Sequence, residues 1–162
     1  MIIEDSVGKF FNHKKGDIKD DEILTIASEG KIRDNYKFPN KDGSPKKEKL
    51  FLVKKSDGSE ANVKFNPTTT DNLKKCYGKD TIKWVGKKVI VKSQWMPISG
   101  ESKKVVYFLH QNTEFDNETG KWIIRDLEKI QQENNITVET NEQPPITDEQ
   151  IKENLEDFDN IQ

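Results

Sequence analysis

The chain is poor in the residues that most often announce chemistry. Its single cysteine, Cys76, excludes an internal disulfide framework and any zinc ribbon built on paired cysteines. The two histidines, His13 and His110, stand far apart, so no zinc site is expected. No GxxxxGK[ST] or GxGxxG phosphate loop occurs. No stretch approaches the ~18 consecutive apolar residues that a membrane span needs. The opening residues, Met1-Ile2-Ile3-Glu4-Asp5, lack the basic segment and apolar run of a signal peptide. Hydrophobic residues make up 31% of the chain and charged ones 35%, with a mean hydropathy of -0.92. The expectation is a soluble cytoplasmic protein with a small core and no membrane partner.

Arginine is nearly missing as well: Arg33 and Arg125 are the only two, so the cations are almost all lysine. Lysine is a hydrated point charge that suits tracking a phosphate backbone more than reading base edges bidentately. The net charge of -2 conceals an asymmetry. Residues 1–110 hold 23 Lys and Arg against 15 Asp and Glu, a net of +8; residues 111–162 hold 4 against 14, a net of -10. A basic body can attract a polyanion, and an acidic end can compete for the same face.

Along the chain, residues 1–19 read as an extension whose apolar cluster, Val7, Phe10 and Phe11, docks on a domain edge. Residues 22–32 read as one long strand, β-branched and partly alternating. Pro39, Asp42-Gly43 and Pro45 mark residues 33–48 as a long loop tipped with Tyr36 and Phe38. Strands over 49–55 and 60–65 flank the turn Ser56-Asp57-Gly58-Ser59. Residues 66–78 read as a short helix, with threonines and Asp71 offering N-cap oxygens, Gly78 ending it, and Leu73, Cys76 and Tyr77 on one stripe. A strand around Val89 and Val91, a loop over 93–104 with Trp95, and a strand over 105–110 complete the body.

Five strands with a helix between the third and fourth is the order of a mainly β, five-stranded OB-fold, a Greek-key barrel. The expected division is an N-terminal extension (1–19), the OB-fold domain (20–112), a C-terminal helix (113–133) and an acidic tail (134–162) that lacks order without a partner. Trp84 is expected to pack against the helix of the barrel, and Trp122 to fasten the C-terminal helix to it.

The block Tyr77-Gly78-Lys79-Asp80-Thr81-Ile82-Lys83-Trp84-Val85-Gly86-Lys87 follows an apolar strand ending in Phe65-Asn66 and a short helix. It resembles the Tyr-Gly-x-Asp-Thr-x-x-Trp-x-Gly-Lys block of a group of small bacteriophage and prophage proteins, and the likeness spans roughly residues 20–110. The resemblance implies an OB-fold-like domain, a place in replication or recombination modules, and single-stranded-DNA binding. The ending, with Glu156, Asp157, Phe158 and Asp159, resembles the acidic tails through which single-stranded-DNA-binding proteins dock replication or recombination partners. Phe158 is followed by four residues here and is not terminal.

No nucleophile with a base, paired acid set or metal cluster stands out, so neither an enzyme nor a cofactor is expected. Cys76 sits on the apolar helix stripe and reads as core. The expected ligand path crosses the second and third strands between the loops joining strands 1–2 and 4–5. There bases stack on rings while lysines follow phosphates. The residues assigned to it are Tyr36, Lys37, Phe38, Lys46, Lys47, Lys49, Phe51, Lys92, Trp95, Lys103 and Lys104. RNA as a second ligand and a homo-oligomer stay open. The alternative reading is an OB-like protein-interaction module, a phage factor acting on a host or replisome protein without affinity for nucleic acid.

Overall fold

The computed structural model describes residues 8–37 and 39–136. The protein is mainly β, with antiparallel sheets and two α-helices. One sheet holds β1 (Ile23–Ile26), β2 (Lys31–Asn35), β3 (Lys46–Lys54), β4 (Glu60–Phe65), β5 (Lys88–Ile98) and β6 (Glu101–Leu109). A separate hairpin joins β7 (Thr113–Asp116) to β8 (Lys121–Ile124). Helix α1 (Pro67–Tyr77) and a 3₁₀ helix (Thr81–Trp84) separate β4 from β5, and α2 (Leu127–Glu133) follows the hairpin. No helix among the described residues is long and apolar enough to cross a membrane.

β3 is the hub. β1 and β2 lie end to end along one side of it, with Ile26 opposite Val53 and Lys31 opposite Leu50, while β4 runs along the other. β5 pairs with β1 and then continues as a long hairpin with β6. The single strand expected over 22–32 is therefore broken between Ile26 and Lys31. There the Ser28 hydroxyl accepts the Leu52 N–H at 2.9 Å in place of a backbone carbonyl. Gly30 turns the chain with φ +88°, and the ring of Phe51 lies against its bare α-carbon.

That contact corrects one sequence assignment. Phe51, expected on the ligand path, is only 4% exposed. It forms the middle of a column of rings through the core: Trp84 lies 5.4 Å away on one side and Phe65 4.2 Å on the other, with Phe108 5.5 Å beyond Phe65. Val53, Val63, Phe65, Val89 and Val91 share this interior with Leu24 and Ile26. Alternation along β3 turns Phe51 and Val53 to the same side. A β-carbon at Gly30 would stand 2.5 Å from the Phe51 ring, on a backbone that side chains rarely adopt. Gly30→Ala is expected to lower stability by about 2–4 kcal/mol, measured as a fall in the urea midpoint.

Helix α1 begins at Asn66, whose Oδ1 accepts the Thr69 N–H at 2.9 Å, with Pro67 in the first turn. The expected threonine and Asp71 caps are not used for this. The threonine and asparagine side chains instead secure the edge of β6. Thr69 Oγ1 accepts the Phe108 N–H at 3.0 Å, Asn72 Oδ1 accepts the His110 N–H at 2.9 Å, and Asn66 Nδ2 donates to the Val106 carbonyl at 3.1 Å. Buried polar groups need such partners, and here a helix supplies them where a neighbouring strand would. Trp84 is fully buried, and its Nε1 donates to the Gly78 carbonyl at the end of α1, 2.8 Å away.

Two further expectations change. The loop read over 93–104 is mostly strand, whereas the loop read over 33–48 keeps its middle outside the strands and is only trimmed at both ends. β2 reaches Asn35 and β3 starts at Lys46, while β5 and β6 run unbroken to a Ser99-Gly100 turn with φ +52° and +83°. Two successive positive φ angles match the right-handed twist of a tight hairpin, and Pro97 fits because, among the described residues, β5 has no strand neighbour on its other side past Ile90. The C-terminal helix expected over 113–133 is a hairpin followed by the shorter α2. The Asp116 carboxylate accepts from Glu118 N and Thr119 Oγ1, and Gly120 closes the turn. Trp122 therefore stands on β8, packed edge-on against Tyr107 of β6 and Phe115 of β7. At the other end, Phe10 and Phe11 of the expected apolar cluster dock, while Val7 lies outside the described residues. The Asn62 N–H bonds the Lys9 carbonyl at 2.8 Å, and the Phe11 N–H bonds the Asn62 carbonyl at 3.1 Å, which adds a short parallel segment to the edge of β4.

Candidate nucleic-acid interface

No ladder joins β4 to β6 among the described residues. Between them lies an open groove of about 990 Å³. Its floor is apolar, made by Phe10, Phe11, Ile18, Val63, Phe65, Val106 and Phe108. Its rim is cationic: Lys14, Arg33, Lys47, Lys49, Lys64, Lys103 and Lys104 line it, with Glu48 as the one carboxylate among the lining residues. Four strands and a turn bring these charges together. β2 and β3 supply Arg33, Lys47 and Lys49; β4 supplies Lys64; β6 supplies Lys103 and Lys104; and the turn after Phe11 supplies Lys14.

The charges are not equally engaged. Arg33 donates through Nη2 at 2.8 Å and Nε at 3.3 Å to Glu48 Oε1. Lys64 Nζ lies 3.0 Å and Asn35 Nδ2 2.6 Å from Oε2. Burial alone would raise the Glu48 carboxyl, but these donors outweigh it and hold it at about 2. The Arg33 guanidinium also sits 5.4 Å from the centre of the Phe10 ring. Lys47 pairs with Asp34, whose carboxylate raises it above the ordinary lysine range. Lys14, Lys49, Lys103 and Lys104 form no ion pair within 4.0 Å among the described residues. They face solvent at the rim, where a polyanion would meet them without first displacing a partner.

Of the residues named from sequence, Lys47, Lys49, Lys103 and Lys104 meet in the groove. Trp95, 64% exposed, stands beside it, directly opposite Lys104 in the β5–β6 register. Tyr36, 68% exposed, follows Asn35, whose amide bonds Glu48. Lys37 and Lys46 belong to the same hairpin but do not line the groove. Lys92 is a correction: its ammonium is held 2.5 Å from Asp21, away from the groove. Phe38 and the tail residues Glu156, Asp157, Phe158 and Asp159 lie outside the described residues. Lys14, Arg33, Lys64 and the ring of Phe10 were not singled out from sequence. Lys64 carried a signal, since it alternates with Val63 and Phe65 on a predicted strand.

Comparison with protein-family models, with curated proteins and with solved structures finds no match to this chain. The chemistry therefore rests on the residues alone. The Cys76 thiol is buried and pushed up to about 12 by desolvation, which makes it a core group rather than a nucleophile. His13 Nε2 and the Ser93 hydroxyl both bond Asp20, each at 2.8 Å. The carboxylate stands between the hydroxyl and the imidazole, so the serine does not meet the imidazole as it would in a Ser–His–acid triad. The trio ties the N-terminal turn to β5. No group of three His, Cys, Asp or Glu among the described residues is placed to hold a metal ion.

Proposed function

We propose that this chain binds single-stranded DNA without sequence specificity and is a binding protein rather than an enzyme. The sugar–phosphate backbone runs along the groove between β4 and β6, and bases stack on Tyr36 and Trp95 beside it. The observation that carries this reading is the charge of the groove: seven cations and one carboxylate, itself already engaged, over an apolar floor. Lysines along a channel with exposed rings at its margin are what sequence-tolerant strand binding uses. The connectivity supports an OB-type barrel. With β1 and β2 taken as one interrupted strand, five strands follow with α1 between the third and fourth, and the β4–β6 seam stays open. The resemblance of the Tyr77–Lys87 block supports a place in phage replication or recombination. On this reading Glu156, Asp157, Phe158 and Asp159 recruit protein partners, and the tail's acids lower affinity by competing for the basic groove.

A second reading has one observation in its favour. The edge of β6 before Val106 is not covered by α1, and beside an apolar floor it suits an extended acidic peptide. Titration with labelled oligo-dT separates the two. Trp84 is buried and Trp95 is exposed, so strand binding is expected to quench emission that the Trp95→Phe variant no longer shows. With about four to six phosphate contacts, log K should fall against log salt with a slope between about -3 and -4. Absence of both binding and quenching would refute strand binding.

A further inference from the structure

We infer that Glu48 stands in for a phosphate: the strand's phosphodiester replaces it on Arg33 and Lys64, so Glu48 sets how tightly the groove holds a polyanion. This rests on the strand-binding reading above. The arrangement is a complete oxyanion site. A guanidinium offers two N–H groups to one oxygen, at 2.8 and 3.3 Å, and an ammonium and an amide reach the other, at 3.0 and 2.6 Å. Guanidinium, ammonium and amide donors are also the set that holds a phosphate's oxygens. The site is on the ligand's path, because Arg33, Glu48 and Lys64 all line the groove.

The three side chains are unequally buried. Glu48 is 13% exposed at its side chain, Arg33 36% and Lys64 54%. The carboxylate is fixed between the strands while its two cations reach solvent and can turn to an incoming anion. Glu48 thus keeps Arg33 and Lys64 from repelling each other in the free protein, and it is the negative charge that a bound strand must approach. Of the seven cations, these two share one carboxylate and are gained by a phosphate only in exchange for Glu48, whereas Lys47 is held by Asp34.

The test uses the full chain. Glu48→Gln removes the charge and nearly keeps the shape. It is expected to bind oligo-dT about fivefold tighter near 0.1 M salt. The slope of log K against log salt is expected to stay the same, because the strand's phosphate meets Arg33 and Lys64 in both proteins. Glu114→Gln makes the same change in net charge on β7, outside the groove, and is expected to alter neither quantity. Equal or weaker binding by Glu48→Gln overturns the inference. Should that variant not fold, the wild-type protein decides. Its Glu48 side-chain carboxyl ¹³C resonance is expected to move on saturation with oligo-dT, and an unmoved resonance overturns the inference. If wild type binds and depends on Lys49 and Lys104 while Glu48→Gln changes nothing, this inference alone fails. If wild type does not bind, the inference falls with the groove reading.

Discussion

Phe51→Ala is expected to cost about 3–5 kcal/mol of folding free energy, the range for truncating a buried aromatic. The upper part of that range applies here because the site collapses poorly. The ring is held between the flat faces of Phe65 at 4.2 Å and Trp84 at 5.4 Å and is backed by the bare α-carbon of Gly30. Two rigid aromatics cannot flow into the space that a third one leaves, so the cavity persists and its lining loses dispersion contacts. Against a total stability of about 5–15 kcal/mol, the loss is severe. Urea unfolding followed by tryptophan emission, to which Trp84 beside the ring contributes, measures it, with an unchanged m-value expected if only the folded state is affected. The outcome also separates two roles for this residue. A base-stacking platform would lose strand affinity at full stability; a core ring loses stability first. A near-normal urea midpoint for Phe51→Ala would contradict the core assignment.

The second large effect concerns the rim. Reversing two unpaired cations on opposite walls of the groove, Lys49→Glu on β3 with Lys104→Glu on β6, is expected to reduce oligo-dT affinity roughly a hundredfold near 0.1 M salt. Each lost contact forgoes the release of about 0.7 counterion on a single strand, and each new carboxylate adds repulsion. The folding cost should be small, since both side chains are exposed and neither forms an ion pair among the described residues. Reversal of Lys79, just before the 3₁₀ helix, and Lys83, within it, both exposed and outside the groove, changes net charge equally. That pair should bind within about threefold of wild type, because charges beyond a Debye length of about 10 Å are largely screened. Equal losses from both pairs would mean that net charge alone drives binding and that the groove has no special part.

How much of this was legible in the sequence follows from the range over which each signal acts. The strands around Val53, Val63 and Val89 and helix α1 were readable because alternation and the Leu73, Cys76, Tyr77 stripe are local patterns. The one mistaken loop, 93–104, was a local failure of another kind. Pro97 and Gly100 look like breakers, yet one sits where its strand has no second neighbour among the described residues and the other in the tight turn itself. Residues 113–124 have apolar spacing that suits a helix as well as a hairpin, and the Asp116 turn decided for the hairpin. The groove was half visible. Lysines near Tyr36 and Trp95 mark two hairpins by composition, but joining them to Lys14 and Lys64 requires the N-terminal segment to dock on β4. Phe51 could not be settled from its own strand, because the reason it points inward lies at Gly30 and Trp84, about twenty and thirty residues away.

The amide of Asn66 has a consequence for the width of the channel. Where two strands are laddered, their separation is fixed near 4.8 Å by the backbone. Here the end of β4 and the helix after it are tied to β6 by the side chains of Asn66, Thr69 and Asn72 and, among the described residues, by no run of main-chain bonds. The aperture is thus governed by the reach of side chains, like a gate hung on three pins. Its calibre can be altered at position 66, the pin nearest β4, while every lysine on the banks is left as it is.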